Sequence, residues 1–204
     1  MDQTTQPMTP PTPVSHLLYL HGFRSSPRST KATQMARWVA RHRPEVSWAC
    51  PQLPPSPAAA MAMIRELTAH WPAASRAVIG SSLGGFYAGL LGEELGCRTV
   101  LINPAVDQAR DLAAMIGSTT TWHGNEPFEF RAEHVDELRR LTPPRLLRQQ
   151  LMLALIAKGD EVLDWREMVD RHHGAKMVLL EGGDHAFSEF ENHLGTIAGF
   201  FGWS

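Results

Sequence analysis

The stretch 78-VIGSSLGGFYAG-89 places two serines among glycines, directly after a short apolar run and before an apolar helical pattern. It contains G-x-S-x-G centred on Ser82, a pattern typical of a serine held on a sharp turn between a strand and a helix. The residues two before and two after such a serine must be small, and Gly80 and Gly84 meet that requirement. The stretch therefore predicts that Ser82, rather than Ser81, presents its hydroxyl as a nucleophile.

Two other interpretations of this turn stay open. A glycine-rich loop before a helix can hold a phosphate on its backbone N–H groups. Ser82 could instead cap the helix that follows it. The dinucleotide fingerprint G-x-G-x-x-G and the lysine of the P-loop pattern are both absent from this turn, which weakens the phosphate interpretation.

Short apolar runs alternate with helical patterns along the chain. The runs are 16-HLLYLHG-22, 45-EVSWACPQL-53, 76-RAVIG-80, 98-RTVLINP-104, 151-LMLALIAKGD-160 and 175-AKMVLLEGG-183. Strands that alternate with helices indicate βαβ units and a parallel sheet covered on both faces. The sequence therefore predicts an α/β fold, a three-layer α/β/α sandwich with a mostly parallel sheet of about six strands.

Residues 105–150 break this alternation because they contain no clear strand pattern. They include 117-GSTTTWHGNEPFEF-130 and then a charged helical pattern, 131-RAEHVDELRRL-141. A connection of this length inside a compact domain needs a reason, either a packed cap or a floppy excursion. The aromatic residues Trp122, Phe128 and Phe130 favour the first, so we expect a short helical cap over the edge of the sheet.

The composition is that of an ordinary globular domain. The 204 residues are 43% hydrophobic and 20% charged, with a formal net charge of −2. This balance lacks the basic excess of a general nucleic-acid binder, and no apolar run approaches the roughly 18 residues that cross a membrane. We therefore expect neither nucleic acid nor membrane as a partner, and nothing in the composition indicates an oligomeric state.

The first residues of the chain differ in composition from the rest. Residues 1–13, MDQTTQPMTPPTP, are polar and proline-rich, without the basic start and apolar stretch of a signal peptide. We interpret them as a disordered leader and residues 14–204 as a single domain.

The cysteine and histidine pattern bears on compartment and metal binding. We interpret Cys50 and Cys97 as two buried thiols of a cytoplasmic protein rather than as a disulfide. No Cys/His spacing resembles a zinc site, so we expect no metal and no cofactor. His172 and His173 are adjacent on a charged segment, which predicts a solvated surface pair.

Ligands of open parallel sheets bind beyond the carboxyl ends of the strands, so the residues that follow each strand are the candidates for a site. A serine nucleophile needs a base, and His185 in 182-GGDHAF-187 follows the last strand. Asp160 in 158-KGDEV-162 follows the fifth strand and is the predicted acid that orients His185. The resulting order, Ser82, Asp160, His185, is the order found with the G-x-S-x-G turn.

Other carboxylates lie near these positions in the sequence. Asp107 follows the fourth strand and is an alternative for the acid. Glu161 and Asp184 are neighbours of the predicted residues, and we interpret both as loop or capping residues.

A serine nucleophile also needs backbone N–H groups that stabilise the oxygen on which negative charge develops. One predicted donor is Leu83, directly after the serine, and the other is Phe23 in the loop after the first strand. His21 is expected to order that loop rather than to act as the base. Tentative substrate-binding residues are His21, Arg24 and Trp122.

A narrower hypothesis concerns the cations Arg24, Arg28 and Lys31, which lie close together in the sequence. They could attract a phosphate-bearing leaving group such as coenzyme A. The alternative is an ordinary solvated face, which we favour.

These stretches together resemble the YqiA-type esterases, small bacterial members of the α/β-hydrolase superfamily. The resemblance is carried by 19-YLHGFRSSPRSTKA-32, 79-IGSSLGGFYA-88, 102-INPAV-106, 158-KGDEVLDWR-166 and 182-GGDHAF-187. It implies a minimal α/β-hydrolase core, a triad of Ser82, Asp160 and His185, and activity on acyl esters or thioesters. The match is poorest over residues 107–150, which are expected to shape the acyl pocket.

The expected substrate is therefore a small-molecule acyl ester or acyl-CoA, cleaved without a cofactor. Two alternatives stay open. The chain could be a non-catalytic protein that uses the same cleft to hold a ligand. The same residues also suit amide hydrolysis or cofactor-free perhydrolysis.

Overall fold

A six-stranded parallel sheet forms the centre of the molecule. The computed structural model describes residues 12–122 and 126–203. The strands are β1 (His16–Leu20), β2 (Ser47–Ala49), β3 (Arg76–Ser81), β4 (Arg98–Ile102), β5 (Gly117–Thr120), β6 (Pro127–Phe130), β7 (Met152–Ala157) and β8 (Lys176–Leu180). The main sheet has the order β2-β1-β3-β4-β7-β8, and β5 and β6 form a separate antiparallel pair. The predicted parallel sheet of about six strands is confirmed.

Helices follow the strands of the main sheet. They are α1 (Thr30–His42), α2 (Pro57–Thr68), α3 (Leu83–Leu95), α4 (Gln108–Asp111), α5 (Ala132–Leu141), α6 (Trp165–Arg171) and α7 (Leu194–Phe200). Several begin with local signals that the sequence contains. For example, the side chain of Ser56 accepts a hydrogen bond from Ala59 N–H at the start of α2, with Pro57 as its first residue.

The central strands are buried on both faces. Strand β3 pairs with β1 and β4, so that Ile79 lies opposite Tyr19 on one side and Val100 on the other. All six residues of β7 are buried. Strands in this position need apolar side chains at successive residues rather than at every second one. This requirement explains why their sequences are continuous apolar runs.

Side chains along each strand alternate between two hydrophobic cores, one on each face of the sheet. On β1, Leu18 and Leu20 belong to the core that includes residues of α2 and α3. Leu17 and Tyr19 belong to the core that includes residues of α1 and α7. Burying one such side chain stabilises the fold by roughly 1.5–3 kcal/mol. The predicted three-layer α/β/α sandwich is thereby confirmed.

Residues 105–150 contain the helices α4 and α5, and also two short strands that the sequence analysis did not predict. The charged helical pattern does form a helix, α5. The stretch before it forms the hairpin of β5 and β6, in which Phe128 and Phe130 face inward while Pro127 and Glu129 face solvent. Two strands of four residues are too short to give a clear periodic signal in the sequence. Trp122 is 64% exposed and does not pack as expected.

Two expectations about polar residues also need correction. His172 is only 4% exposed, and its Nδ1–H donates to the carbonyl oxygen of Met168 at 2.8 Å, whereas His173 is exposed as expected. Burial lowers the pKa of His172 to about 4. Both cysteines are free thiols, but Cys50 is only half-buried while Cys97 is buried.

Two further findings concern the chain as a whole. Among the helices of the described residues, none is both long enough and apolar enough to cross a membrane. Of the predicted disordered leader, residues 1–11 lie outside the described part of the chain.

Candidate active site

Parallel strands end at the same edge of a sheet, and this places the candidate residues together. Ser82 follows β3, Asn103 follows β4, Asp160 follows β7 and His185 follows β8. Because these four strands are consecutive neighbours in the sheet, their terminal loops meet at one edge.

Ser82 occupies a strained turn between β3 and α3. Its φ of 57° and ψ of −124° lie in a region that residues with a side chain rarely adopt. Two hydrogen bonds hold the turn against the neighbouring strand end. The Ser82 N–H donates to the carbonyl of Ile102 at 3.0 Å, and the Ser82 carbonyl accepts from the N–H of Ala105 at 3.1 Å. Although Ser82 precedes α3, its side chain makes no capping hydrogen bond.

Steric crowding explains the glycines on either side of this serine. A Cβ atom at Gly80 would lie 2.0 Å from the carbonyl oxygen of Gly84. A Cβ atom at Gly84 would lie 2.1 Å from the carbonyl oxygen of Leu20 in β1. The obstructing atoms belong to the backbone and cannot rotate away, so only glycine fits at either position.

The side chains of Ser82, His185 and Asp160 form one hydrogen-bonded chain. The Oγ atom of Ser82 lies 3.1 Å from Nε2 of His185. The Nδ1 atom of the same ring lies 2.8 Å from Oδ2 of Asp160. An ionised carboxylate can only accept, so Nδ1 carries the hydrogen and Nε2 is free to accept the proton of the serine hydroxyl.

The Asp160 side chain is completely buried, and both its oxygens are used. While Oδ2 faces His185, Oδ1 accepts the N–H groups of Val162 and Leu163, each at 2.8 Å. These backbone donors compensate for the cost of burying the carboxylate and fix its orientation. The carboxylate therefore presents one defined oxygen to the imidazole.

The other acidic candidates occupy different positions. The Asp107 carboxylate is 52% exposed and caps α4 by accepting the N–H of Arg110. The Oε2 atom of Glu161 accepts the backbone N–H of His185 at 2.9 Å. Asp184 accepts the hydroxyl and N–H of Ser188, and these hydrogen bonds hold the pKa of its carboxyl below the usual value. Of these four carboxylates, Asp160 is the one that hydrogen-bonds to the His185 ring in the described contacts.

Asn103 is a residue of this edge that the sequence reasoning did not single out. It is fully buried, has a φ of 39°, and its side chain bonds to the last residue of β7 and to the loop after β8. A weak signal was present, because an asparagine between a buried strand and Pro104 stands where site residues of a parallel sheet are expected.

The predicted N–H donors lie beside the serine. Leu83 is the first residue of α3, where N–H groups have no acceptor inside the helix. A Cβ atom at Gly22 would lie 3.3 Å from the Cβ of Ser82, which shows how closely the loop after β1 approaches the serine. Phe23 follows in that loop, and its ring packs edge-on against Phe128 and Phe130 of β6, with 5.1 Å between centroids in each case.

His21 lies at the base of the same loop, 3% exposed. Its Nε2 accepts the N–H of Leu53 at 3.1 Å, and its Nδ1 donates to the carbonyl of Gly22 at 3.0 Å. These bonds tie the loop to the segment after β2. Its placement supports a role in ordering the loop, although the residue also lines the cleft.

Arg24 and Trp122 contact each other across the loop and the hairpin. The Nε of Arg24 donates to the carbonyl of Thr120 at 2.9 Å, and the carbonyl of Arg24 accepts the N–H of Trp122 at 2.8 Å. The guanidinium carbon lies 4.0 Å from the centroid of the Trp122 ring. Arg24 also has a φ of 55°, which is a strained backbone conformation. Its contacts hold the loop after β1 against the end of the hairpin of β5 and β6.

The remaining cations of the loop also contact protein groups. Arg28 forms an ion pair with Glu126, with 3.6 Å between Nη2 and Oε1. Lys31 donates to the carbonyl of Ala186, and burial lowers its pKa to about 8. Arg24 and Arg28 are not among the residues that line the cleft around Ser82, so they give no support to the hypothesis of a phosphate-bearing leaving group, whereas Lys31 lines that cleft.

A cleft of about 650 Å³ opens over Ser82. One side of it is apolar and comes from the loops after β4 and β7, with Leu112, Met115, Val162 and Leu163. The other side is polar and comes from the loop after β1 and the start of α1, with Ser25, Ser29, Thr30 and Lys31. Because β1 and β4 flank β3, these two sides lie on opposite sides of the serine.

A separate point concerns metal binding. Within residues 12–122 and 126–203, no group of three or more His, Cys, Asp or Glu side chains could hold a metal ion.

Solved structures share this fold at low sequence identity. "Alpha/beta hydrolase domain-containing protein 10 from mouse" superposes with a TM-score of 0.70 at 14% identity, over 92% of this chain and 89% of that one. A structure described under "LipS and LipT, two metagenome-derived lipolytic enzymes" has a TM-score of 0.67 at 16% identity, over 94% and 95%. "Ferulic Acid bound to Est1E from Butyrivibrio proteoclasticus" has a TM-score of 0.64 at 12% identity, over 93% and 87%. At these identities the likeness shows an α/β-hydrolase fold.

A family model gives the closer assignment. The model described as "Uncharacterised protein family (UPF0227)" matches residues 16–202. This range contains every strand and helix described above. It also contains all five stretches that carried the resemblance in the sequence. The chain therefore belongs to the UPF0227 family, the YqiA-type family that its sequence resembles.

Proposed function

We propose that the protein is a serine hydrolase that cleaves acyl esters through a covalent acyl-enzyme. The observation that carries this proposal is the hydrogen-bonded chain from Ser82 through His185 to Asp160, with distances of 3.1 and 2.8 Å. The strained backbone at Ser82 adds support, because strain of this kind persists where a function requires a particular orientation.

The mechanism follows from the positions of the atoms. The Nε2 atom of His185 takes the proton as Ser82 Oγ attacks the ester carbonyl carbon, and the carbonyl oxygen becomes negatively charged. That oxygen is stabilised by the N–H groups of Leu83 and Phe23, and losing one such donor typically costs roughly 10²–10³ in rate. Asp160 stabilises the imidazolium that forms.

Collapse of the tetrahedral intermediate breaks the bond to the alcohol. His185 returns its proton to the departing alcohol oxygen, which leaves the acyl group on Ser82 Oγ. A water molecule then gives a proton to Nε2 of His185 and attacks the acyl carbon. Release of the carboxylic acid returns the proton to Ser82, so that no net proton is left on the protein residues.

The shape of the cleft supports an apolar acyl group. Leu112, Met115 and Leu163 line the side of the cleft that lies beyond β4 and β7. Contact with these side chains removes apolar surface of the acyl chain from water, which favours binding by about 25 cal/mol per Å². An ester is the proposed substrate, and a thioester such as an acyl-CoA is a variant with the same chemistry at the carbonyl.

The free thiols Cys50 and Cys97 support the predicted cytoplasmic location.

A fluorophosphonate probe tests the proposal directly, because it reacts with an activated serine and needs no knowledge of the natural substrate. We expect one adduct on the parent protein by intact mass and none on Ser82→Ala. A panel of p-nitrophenyl esters with increasing acyl length, and matched amides, then defines the reaction. If the folded parent forms no adduct, the non-catalytic binding alternative replaces this proposal. If amides are turned over faster than esters, amide hydrolysis replaces ester hydrolysis as the proposed reaction.

A further inference from the structure

The proposed reaction requires two separate loops to keep a fixed position relative to each other. Asp160 is carried by the loop after β7 and His185 by the loop after β8. The Asp160 carboxylate is fixed by backbone groups of its own loop. His185 has no such local support for its ring, so its orientation depends on what holds the backbone of residues 184 and 185.

Asn103 makes that connection from the neighbouring strand end. Its Nδ2 donates to the carbonyl oxygens of Asp184 at 3.0 Å and His185 at 3.4 Å. Its Oδ1 accepts the N–H of Ala157, the last residue of β7, at 2.8 Å. One amide group therefore joins the strand that leads to Asp160 to the loop that carries His185.

The backbone of Asn103 is fixed as well. Its N–H donates to the carbonyl of Leu155 at 2.9 Å, and its φ of 39° lies in the left-handed region. Asparagine tolerates this region better than other residues with a side chain. Few side chains supply both a donor and an acceptor without charge, and Asn103 has no exposed surface at all.

The loop after β8 is also held by the Gly159 N–H, which donates to the Gly182 carbonyl at 3.1 Å. Two further side-chain contacts, to residues 185 and 186, lie at the surface. Glu161 accepts the His185 N–H, and Lys31 donates to the Ala186 carbonyl, both at exposed sites. Water can replace partners of this kind, whereas it is excluded from the buried Asn103 amide.

We propose that Asn103 is a positioning residue, which sets the His185 ring against Asp160 and Ser82 by bridging the end of β7 and the loop after β8. This inference rests on the proposed function, since the positioned ring is the proposed base. Asn103 itself touches none of the reacting atoms.

Three variants separate the possible roles of Asn103. Asn103→Gly keeps the positive φ and removes the bridge, whereas Asn103→Ala removes the bridge and adds backbone strain. Asn103→Asp keeps an acceptor for Ala157 N–H but loses both donors toward residues 184 and 185. Asn192→Gly, at an exposed asparagine, is the matched control.

Activity and spectroscopy are measured together. For Asn103→Gly and Asn103→Asp we expect kcat for a p-nitrophenyl ester to fall by about 10- to 100-fold with KM unchanged, as for a base displaced by about 1 Å. The low-field proton resonance of the His185 Nδ1–H···Asp160 hydrogen bond should broaden or disappear. Asn103→Ala should add a loss of thermal stability, and Asn192→Gly should retain both the activity and the resonance.

Several outcomes would overturn the inference. Turnover per folded molecule, counted by fluorophosphonate titration, could stay at the parent value in Asn103→Gly while its thermal stability falls. Asn103 would then have only a structural role. Full activity and an unchanged resonance in Asn103→Asp would show that the donors to residues 184 and 185 are not needed. Failure of the parent to react with the probe would refute the proposed function instead, and the proton resonance would still test the geometry.

Discussion

Asp160 and His185 lie on loops that follow neighbouring strands, and 2.8 Å separates the carboxylate Oδ2 from the imidazole Nδ1. The buried carboxylate is held by two backbone N–H groups, while the ring lies against Ser82 on its other side. Asp107, the alternative acid, is turned toward Arg110 on α4. This difference makes the identity of the acid testable.

Replacing Asp160 by asparagine should abolish most of the activity. An amide in place of the carboxylate no longer stabilises the imidazolium and favours the wrong tautomer of His185, which costs about 10⁴ in kcat in an enzyme with this triad. We expect Asp160→Asn to lower ester turnover by about 10²- to 10⁴-fold, measured with p-nitrophenyl esters. Asp107→Asn should retain parent turnover. A larger loss in Asp107→Asn than in Asp160→Asn would reassign the acid.

Gly84 and Gly89 of α3 have different surroundings, so replacing each by alanine should change the stability in opposite directions. At Gly84 the added Cβ would meet the Leu20 carbonyl oxygen at 2.1 Å, whereas at Gly89 the nearest atom is a Leu101 methyl carbon at 4.0 Å. Gly84→Ala should therefore lose about 1–3 kcal/mol or more of stability, together with probe labelling. Gly89→Ala should be unchanged or stabilised by up to about 1 kcal/mol, since alanine favours a helix interior. Urea denaturation gives both values, and equal losses would contradict the steric explanation.

Arg24 is expected to act through the loop rather than on the substrate. Its contacts with Thr120 and Trp122 hold the loop that contains Phe23, the predicted N–H donor. Arg24→Ala should therefore lower kcat by about 10- to 100-fold with little change in KM, because the donor is misplaced in the transition state. Arg139→Ala, which removes an exposed cation on α5, is the charge control.

The opposite kinetic pattern would give Arg24 a different role. If Arg24→Ala raises KM with kcat unchanged, the residue contacts substrate, as predicted from the sequence. A KM increase confined to anionic esters or acyl-CoA would support the hypothesis of a phosphate-bearing leaving group.

His172 should make the protein less stable in acid. Burial lowers its pKa to about 4 in the folded state, against 6.5 in the unfolded chain. Between these values the unfolded state binds more protons, so the free energy of unfolding falls as the pH is lowered from 6.5 to 4. The contribution of this residue is about 3 kcal/mol over the interval.

Replacing His172 by glutamine should remove that part of the pH dependence. Urea denaturation at pH 7, 5.5 and 4.5 compares the two proteins, with His173→Gln at the exposed neighbour as the control. As the pH falls, the free energy of unfolding should decrease more for the parent than for His172→Gln. An identical pH slope in both proteins would show that His172 is not buried in solution.

Much of the architecture could be predicted because its signals are local. Continuous apolar runs such as 151-LMLALIAKGD-160 predict doubly buried strands. Five of the six main-sheet strands lie within the predicted runs, and β3 extends one residue beyond its run, to Ser81. The glycines around Ser82 mark a turn in which Gly80 and Gly84 are only four residues apart and crowd each other, although Gly84 also packs against Leu20 of β1. The edge of the sheet where the candidate site forms follows from the parallel topology alone.

Other features depend on contacts between distant parts of the chain. The helix that contains His172 looks charged and solvated in sequence, yet this residue faces the interior near residues of α3 and α4. The hairpin of β5 and β6 is stabilised by the Phe23 ring, which lies about a hundred residues earlier in the chain. Trp122 lines the cleft around Ser82 and also contacts Arg24, a pairing that the sequence does not reveal.

The sequence by itself determined the fold class, the turn that carries Ser82 and the chain order of Ser82, Asp160 and His185, because periodicity and the steric demand between Gly80 and Gly84 act over a few residues. Only the tertiary structure distinguished Asp160 from Asp107 and revealed Asn103 as the link between two loops. Hydrogen bonds of this kind act over about 3 Å and require a defined direction, so they exist only once the strands are placed side by side.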